Sequence, residues 1–491
     1  MKTESVAFNE AAVPERTLRS RVLHGVFWLT MVKVVGQLVS WTITIYVVRI
    51  LSPTDYGLMA MAGVYLSFII LFNEVGLGTA IVQRKELARE DLSGIYWTVL
   101  LMNVALYGLS VLSAPVVAAF YNEPRVAEVI RVASVVFIIR SLGLVSYNML
   151  TREMMFNRQS QAEMIGNLSG AVATLVLAMK GFGVWSLVYG NIAIELIKNV
   201  LYLQFYRWTP EFSLSFSRVR GMIHFGSKVA LSRLCWYLSS RLDLLIAGKI
   251  LGQSQLGYYA IAVQFASIPL DKMVATISQV AFPAFSRVQD DRALLKRYYL
   301  RIVKVVGFVS FPLCCGGFLV AESAVPLFLS DKWTPAILPL QILSIVAAFR
   351  AIHIMNAPLE IAIGKPGITT LNFLIMLPVL ALSFFIGSSY GLEGLAYSWL
   401  VFPVLFLITT SISLNLVGLS LGEYIKELRH PFLGSVFMVA AVLLIQRAVL
   451  INLGLVAQVA GSMALGLASY ASYYFFFNRE IFAEAKGMLK R

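Results

Sequence analysis

Charged residues are scarce in this sequence, at 13% of 491 residues against about 25% in an ordinary soluble domain. Apolar residues make up 58%, and the mean hydropathy is +0.77. A soluble chain of this length could not cover so much apolar surface with so few charges. That excludes a cytosolic globular enzyme, a nucleic-acid-binding protein and a disordered chain. Cysteine is also nearly absent. Cys235, Cys314 and Cys315 all lie in apolar segments. They form no disulfide framework, and neither a CxxC pair nor a His/Cys cluster marks a metal site. No GxxxxGK[ST] phosphate loop occurs, so any energy for the protein's work is expected to come from gradients or a partner rather than from bound ATP. No connection is long enough for a soluble domain. The chain reads as a non-enzyme, with no catalytic residues, no cofactor and no metal.

What is present is apolar sequence in continuous runs of about 20 residues, the length that crosses a bilayer core as a helix. The runs do not alternate, which argues against a β-barrel. Helices remain, because lipid requires every backbone polar group to be satisfied internally. Fourteen runs begin near Leu23, Gly57, Gly94, Val126, Ala162, Gly183, Met222, Gln255, Tyr298, Pro335, Gly367, Gly391, Phe432 and Leu453. Breakers such as Ser52-Pro53-Thr54-Asp55, Asn122-Glu123-Pro124 and Lys365-Pro366-Gly367 separate them. The expected fold is an all-α polytopic membrane protein with about fourteen transmembrane helices. No cleavable signal peptide is visible in the polar segment 1–21, so the first span is expected to act as its own insertion signal.

The net charge is +14, from 40 Lys+Arg against 26 Asp+Glu. In a soluble protein this excess would point to nucleic acid; here most basic residues lie in short connections, and topology explains them. With the N-terminus in the cytoplasm, twenty-five Lys and Arg fall on the cytoplasmic side. Six fall opposite: Arg49, Arg125, Arg131, Lys180, Lys249 and Lys332. The positive-inside rule then puts both termini in the cytoplasm.

The chain carries an internal repeat at an offset of 200. Arg49-Ile-Leu-Ser-Pro-Thr-Asp-Tyr-Gly-Leu-Met-Ala-Met-Ala62 lies over Lys249-Ile-Leu-Gly-Gln-Ser-Gln-Leu-Gly-Tyr-Tyr-Ala-Ile-Ala262. His24 over His224 and Ser40 over Ser240 keep the register, and Gly183, Leu187 and Tyr189 echo Gly391, Leu395 and Tyr397 at an offset of 208. The period spans six helices, an even number, so the halves share one orientation about an axis along the membrane normal. The expected organisation is a cytoplasmic segment 1–21, an N-terminal six-helix lobe 22–206, a cytoplasmic linker 207–221, a C-terminal six-helix lobe 222–417, two additional helices in 418–478, and a cytoplasmic tail 479–491. Two parallel lobes across a central cavity are the usual architecture of alternating access, so transport is expected. A duplicated structural bundle is the alternative.

After the connections are set aside, nine basic residues fall within or near spans: Lys33, Arg140, Lys198, Lys228, Arg233, Arg241, Lys272, Arg350 and Arg447. Each costs about 2.5–3.5 kcal/mol at mid-membrane, so each must face a wet cavity, pair with an acid or snorkel. The repeat selects among them. Lys33, Gln37, Ser40, Trp41 and Thr44 share one face of the first span, and Arg233, Tyr237, Ser240 and Arg241 share one face of the seventh. At the 200 offset Lys33 lies over Arg233, Gln37 over Tyr237 and Trp41 over Arg241. Both stripes are expected to line the cavity between the lobes. Cations there favour an anionic substrate, Arg suits phosphate, and Trp41 and Tyr237 offer faces for sugar rings. The plainer alternative is that these groups satisfy one another across a helix interface.

Arg140, Lys272 and Arg350 are further cavity cations. Glu195 and Lys198, at i,i+3, are expected to pair locally. Glu74 and Asp243 are candidate coupling carboxylates, with Asp243 also able to pair with Arg241. His353 is ambiguous, and His24 and His224 are expected at the membrane interface. The basic stretch Arg287–Lys304 reads as a helix on anionic headgroups.

Arg49–Ala62, followed by Asn73-Glu-Val-Gly-Leu-Gly-Thr-Ala-Ile-Val-Gln-Arg84, resembles the opening signature of bacterial polysaccharide exporters. These are the Wzx-type flippases of the multidrug/oligosaccharidyl-lipid/polysaccharide superfamily, and the colanic-acid, xanthan and teichuronic-acid exporter branch in particular. The resemblance covers essentially the whole chain. It implies a substrate of undecaprenyl diphosphate carrying an oligosaccharide repeat unit. It implies movement across the bacterial inner membrane from the cytoplasmic to the periplasmic leaflet, for exopolysaccharide or lipopolysaccharide synthesis. Membrane lipids and polysaccharide polymerase or co-polymerase proteins are the expected partners, and nucleic acid is not. The physical logic agrees, since a diphosphate head bearing sugars cannot cross hydrocarbon unaided. Three rivals stand beside it. A multidrug or organic-ion antiporter of the same superfamily would want acidic cavity residues. A membrane-embedded glycan polymerase would need a sizeable periplasmic loop. The last is a non-transporting scaffold of a glycan assembly complex.

Overall fold

The computed structural model describes residues 36–73, 78, 81–82, 88–212 and 216–478; side chains at 72–73, 216–233, 268–276, 279 and 451 lie outside that description. Among the described residues there is no strand. Helix α1 covers 36–50, followed by α2 (Pro53–Asn73), α3 (Arg89–Tyr121), α4 (Arg125–Arg152), α5 (Phe156–Met179) and α6 (Val184–Phe205). A continuous helix Phe216–Arg287 breaks its backbone at Gly252, with φ 74° and ψ 179°; its arms are α7 (216–251) and α8 (253–287). Then come α9 (Arg292–Leu329), α10 (Asp331–Ala362), α11 (Gly367–Ser388), α12 (Gly391–Asn415), α13 (Leu421–Ala448) and α14 (Leu455–Phe477).

Thirteen of the fourteen expected runs fall on α2 to α14, and the described part of the first, from residue 36, falls on α1. Ten of these helices are long and apolar enough to cross a membrane. The other four are α1, which starts at the edge of the described residues, α6, which carries Glu195 and Lys198, and the two arms α7 and α8, which carry Arg233, Arg241, Asp243 and Asp271.

Local chemistry sets the boundaries. Ser52 and Asp55 cap α2 reciprocally: Ser52 N donates to Asp55 Oδ2 at 2.9 Å, and Asp55 N donates to Ser52 Oγ at 3.2 Å. Pro53 takes the first helical position, where its missing N–H costs nothing. Gly183 and Gly391, related by the 208 offset, stand immediately before α6 and at the first position of α12, with φ of 55° and 84°. The left-handed backbone that glycine tolerates explains why this echo survives in the sequence. Ser420 and Glu423 form a capping box that starts α13 at Leu421, earlier than the expected Phe432. The basic stretch Arg287–Lys304 is not a separate surface helix. Asp291 accepts from Leu294 N at 3.0 Å, and from Arg292 the helix runs unbroken into α9, with Lys296 donating to the Gly418 carbonyl.

In the first lobe α5 lies along α6, which also receives α4; in the second, α9 lies along α10, and α7–α8 packs on α10 and α11. The two lobes meet chiefly where α2 crosses the α7–α8 helix. Helices α13 and α14 lean on α9, where Tyr470 donates to the Phe308 carbonyl at 2.9 Å and Ser323 donates to Gln458 at 2.6 Å.

Candidate functional site

At one end of the bundle the lobes are in backbone contact. A Cβ on Gly57 would sit 1.7 Å from the Gln253 carbonyl oxygen, and a Cβ on Gly257 would sit 1.7 Å from the Pro53 carbonyl oxygen. Both contacts carry the 200 offset, so the first turns of α2 and α8 cross as a self-complementary pair about a pseudo-two-fold axis. Polar groups tie the same end. Arg125 Nη2 donates to Gln253 Oε1 at 2.7 Å while its Nε donates to Glu123 Oε1 at 2.9 Å. The Arg125 guanidinium holds the Glu123 carboxyl below the usual carboxylate range. Trp333 donates to the Val48 carbonyl at 3.0 Å, and the Tyr56 and Tyr258 rings meet it edge-on at 5.6 and 5.8 Å.

Inward from this crossing, on the same two helices, is a cavity of about 370 Å³. Its α2 wall is Ala60, Gly63, Val64 and Ser67, and its α8 wall is Ala260, Val263, Gln264 and Ser267. These are four pairs at an offset of 200. The helical rise places them about 5–15 Å from the glycine crossing. Arg241 and Leu244 of α7 complete the lining. Among the described residues, Arg241 is the only charged side chain in the lining of a chamber between the lobes that is otherwise apolar or weakly polar.

The other sequence-selected residues separate around this chamber. Gln37 is half-buried on α1 and Trp41, the repeat mate of Arg241, is exposed. Tyr237 is buried, and its hydroxyl donates across the lobe boundary to the Val64 carbonyl. Arg140 points to Glu195 at 2.9 Å, joining α4 to α6 inside the first lobe. The expected Glu195–Lys198 pair is therefore corrected: Arg140 approaches from a neighbouring helix and takes the carboxylate, while the Lys198 stem lies against Gly166. Arg350 stacks over the Trp399 ring at 5.1 Å within the second lobe. Asp243 is buried. It accepts from Tyr259 Oη at 2.8 Å and from Leu244 N, and Trp399 Nε1 donates in turn to Tyr259 at 2.6 Å. Lys33 and Glu74, and the side chains of Arg233 and Lys272, lie outside the described residues.

Sequence reasoning passed over one cluster. A second cavity, of about 290 Å³, lies inside the second lobe beside α7, with Arg350, His353, Asn356, Glu360, Asn372 and Trp399 in its wall. Glu360 is fully surrounded by neutral donors: Thr369, Asn372 at 3.0 Å and Ser413. Asn356 links Tyr299 at 2.5 Å to Thr410 at 3.0 Å. The available signal was spacing, with Asn356 and Glu360 at i,i+4 and Thr369 and Asn372 at i,i+3 facing each other across one short turn.

A two-lobed helical bundle with a chamber on its internal axis invites comparison with known proteins. A family model described as "Polysaccharide biosynthesis protein" matches residues 46–338. The chain belongs to that family. The teichuronic acid biosynthesis protein TuaB of Bacillus subtilis (strain 168) is 28% identical over 366 residues, covering 73% of this chain and 75% of its own. The lipopolysaccharide biosynthesis protein WzxC of Escherichia coli (strain K12) is 25% identical over 427 residues, covering 85% of this chain and 86% of its own. The inward closed conformation of the lipid II flippase MurJ superposes with a TM-score of 0.75 at 14% identity, covering 93% of this chain and 100% of its own. The last likeness establishes a shared fold. Together they bear out the family read from Arg49–Ala62 and Asn73–Arg84.

Proposed function

We propose that this protein is a flippase that moves an undecaprenyl-diphosphate-linked oligosaccharide repeat unit across the bacterial inner membrane, by alternating access of a cationic chamber between its lobes. The chamber carries the reading. It lies on the axis relating the lobes, Arg241 supplies a positive charge, and serines and a glutamine supply hydroxyl and amide partners for sugars. A guanidinium in a low-dielectric chamber matches a diphosphate through paired, charge-assisted hydrogen bonds. The membership of the family and the likeness to a lipid flippase fold support the same reading.

In this reading both termini are cytoplasmic, and the Gly57–Gly257 crossing closes the periplasmic mouth. The lobes then rock about the chamber, so that the head group enters from the cytoplasmic side and leaves on the other. Lys33, Arg233 and Lys272 belong to this reading by their places in the sequence alone. Asp243 has the coupling role, since it is buried two residues from Arg241 and tied through Tyr259 to α8. An organic-cation antiporter fits less well, because a guanidinium in the chamber repels such a substrate. Polysaccharide polymerase proteins are the partners that would consume the translocated unit.

Reconstitution tests the proposal. Purified protein in proteoliposomes should move a fluorescent undecaprenyl-diphosphate oligosaccharide between leaflets, read by protection from a membrane-impermeant quencher. Protein-free vesicles should not. Equal rates in both would rule out transport of this substrate.

A further inference from the structure

A second depression shares the chamber's cation. It is an apolar groove of about 410 Å³ between α2, α3 and α7, walled by Val64, Phe68, Val117, Phe120, Leu242 and Leu245, with Arg241 in its lining. Arg241 and Val64 line both the groove and the chamber. The groove's rim is Val116, which is 70% exposed on the long apolar helix α3. Leu112, one turn away on that helix, is 79% exposed. Both lie in the last third of this 33-residue helix, within its uncharged run from Leu92 to Tyr121, and side chains so exposed on such a run face hydrocarbon. The depression is therefore open sideways to the bilayer and leads inward to a guanidinium.

That order of chemistry, from hydrocarbon through an apolar slot to a cation and a polar chamber, matches an amphiphile with a long hydrocarbon chain and an anionic head. We infer that the α2–α3–α7 groove holds the proximal isoprene units of a polyprenyl diphosphate, with the diphosphate at Arg241 and the glycan in the chamber. The inference rests on the flippase reading and specifies where the lipid part of that substrate lies. The tail never crosses the polar chamber: it stays in the slot and the surrounding bilayer while the head changes sides. Tyr237 makes this division. Its hydroxyl is committed to the Val64 carbonyl, and its ring lies 6.0 Å from Phe68, so it presents an apolar floor to the slot.

Photo-crosslinking of the full-length protein in lipid nanodiscs tests the assignment. The probe is a polyprenyl diphosphate with a diazirine on its second isoprene unit, competed with the unlabelled compound. Saturable adducts are expected on Val116, Val117, Phe120, Leu242 or Leu245. Val116→Trp fills the groove's mouth from an exposed position. It should weaken saturable labelling about tenfold, the equivalent of denying burial to two methylenes. Inorganic diphosphate should not displace the probe at concentrations where the unlabelled lipid does. Saturable labelling confined to other helices would overturn the groove while leaving the flippase reading intact. Equal displacement by phosphatidylglycerol would overturn it too, by making the slot a site for bulk lipid. No saturable labelling anywhere would overturn both.

Discussion

Gly57 and Gly257 make one contact twice: each sits where a side chain would strike the backbone four residues before the other, at Gln253 and Pro53. Adding a methyl group to either must part α2 from α8 by about 1.5 Å before ordinary contact is restored. Gly57→Ala and Gly257→Ala should each hold the closed mouth ajar and lower export at normal protein level. In a background free of Cys235, Cys314 and Cys315, Ser67→Cys in the chamber should then react faster with an impermeant thiol reagent added from the periplasmic side. Unchanged labelling in both variants would remove the crossing from the gating mechanism.

Arg241 is shared by chamber and groove, so its loss should be felt in transport rather than in folding. Arg241→Ala should abolish glycan export while membrane levels stay near normal. Arg241→Lys should restore only part of it, because charge survives and the planar fork does not. An Ala variant that exports normally would mean the diphosphate is held elsewhere.

Arg140 should behave in the opposite way, as half of an ion pair with Glu195. Arg140→Met leaves a carboxylate alone inside the lobe. It should cost roughly 1–3 kcal/mol, below the figure for a fully buried pair because Arg140 is partly exposed. Arg140→Met with Glu195→Met should recover most of that loss in thermal melts of the detergent-solubilised protein. A double variant as unstable as the single would show that the pair is not what Arg140 contributes.

Glu123 gives the closed end a pH dependence. Its pKa is depressed below the ordinary 4.5, chiefly by the hydrogen bond from Arg125. The stabilisation is therefore present at neutral pH and lost as pH falls through the lowered value. Glu123→Gln should lower the melting temperature near neutral pH, and the difference from wild type should shrink as pH falls through the lowered value. An equal effect at both ends of the range would argue against an electrostatic origin.

The periodic features of the structure were legible in the sequence. Apolar runs marked all fourteen helices, and the 200 offset marked the axis on which Gly57 meets Gly257 and Ser67 faces Ser267. Arg241 was legible because the repeat singled out its helix face. Tertiary partners were not. Glu195 sits beside Lys198 in sequence, yet Arg140 reaches it from another helix, and nothing local encodes that approach. Tyr237 shares a stripe with Arg241, but one turn of helix is enough to aim its hydroxyl at the Val64 carbonyl. Glu360 stayed hidden because its donors come from two other helices, α11 and α12, and a single carboxylate in an apolar run shows no pattern of its own.

The chamber's walls repeat in backbone and differ in side chain: Gly63 faces Val263, Val64 faces Gln264, and Trp41 occupies on α1 the register that Arg241 occupies on α7. A homodimer of identical halves would offer an elongated head group two equivalent poses, rotated by half a turn, with equal occupancy. Fusing the halves into one chain lets a single substitution such as Arg241 abolish that degeneracy. On the proposed flippase reading, a bound head group would then have a fixed leading end, and its lipid would always trail toward the same side of the molecule.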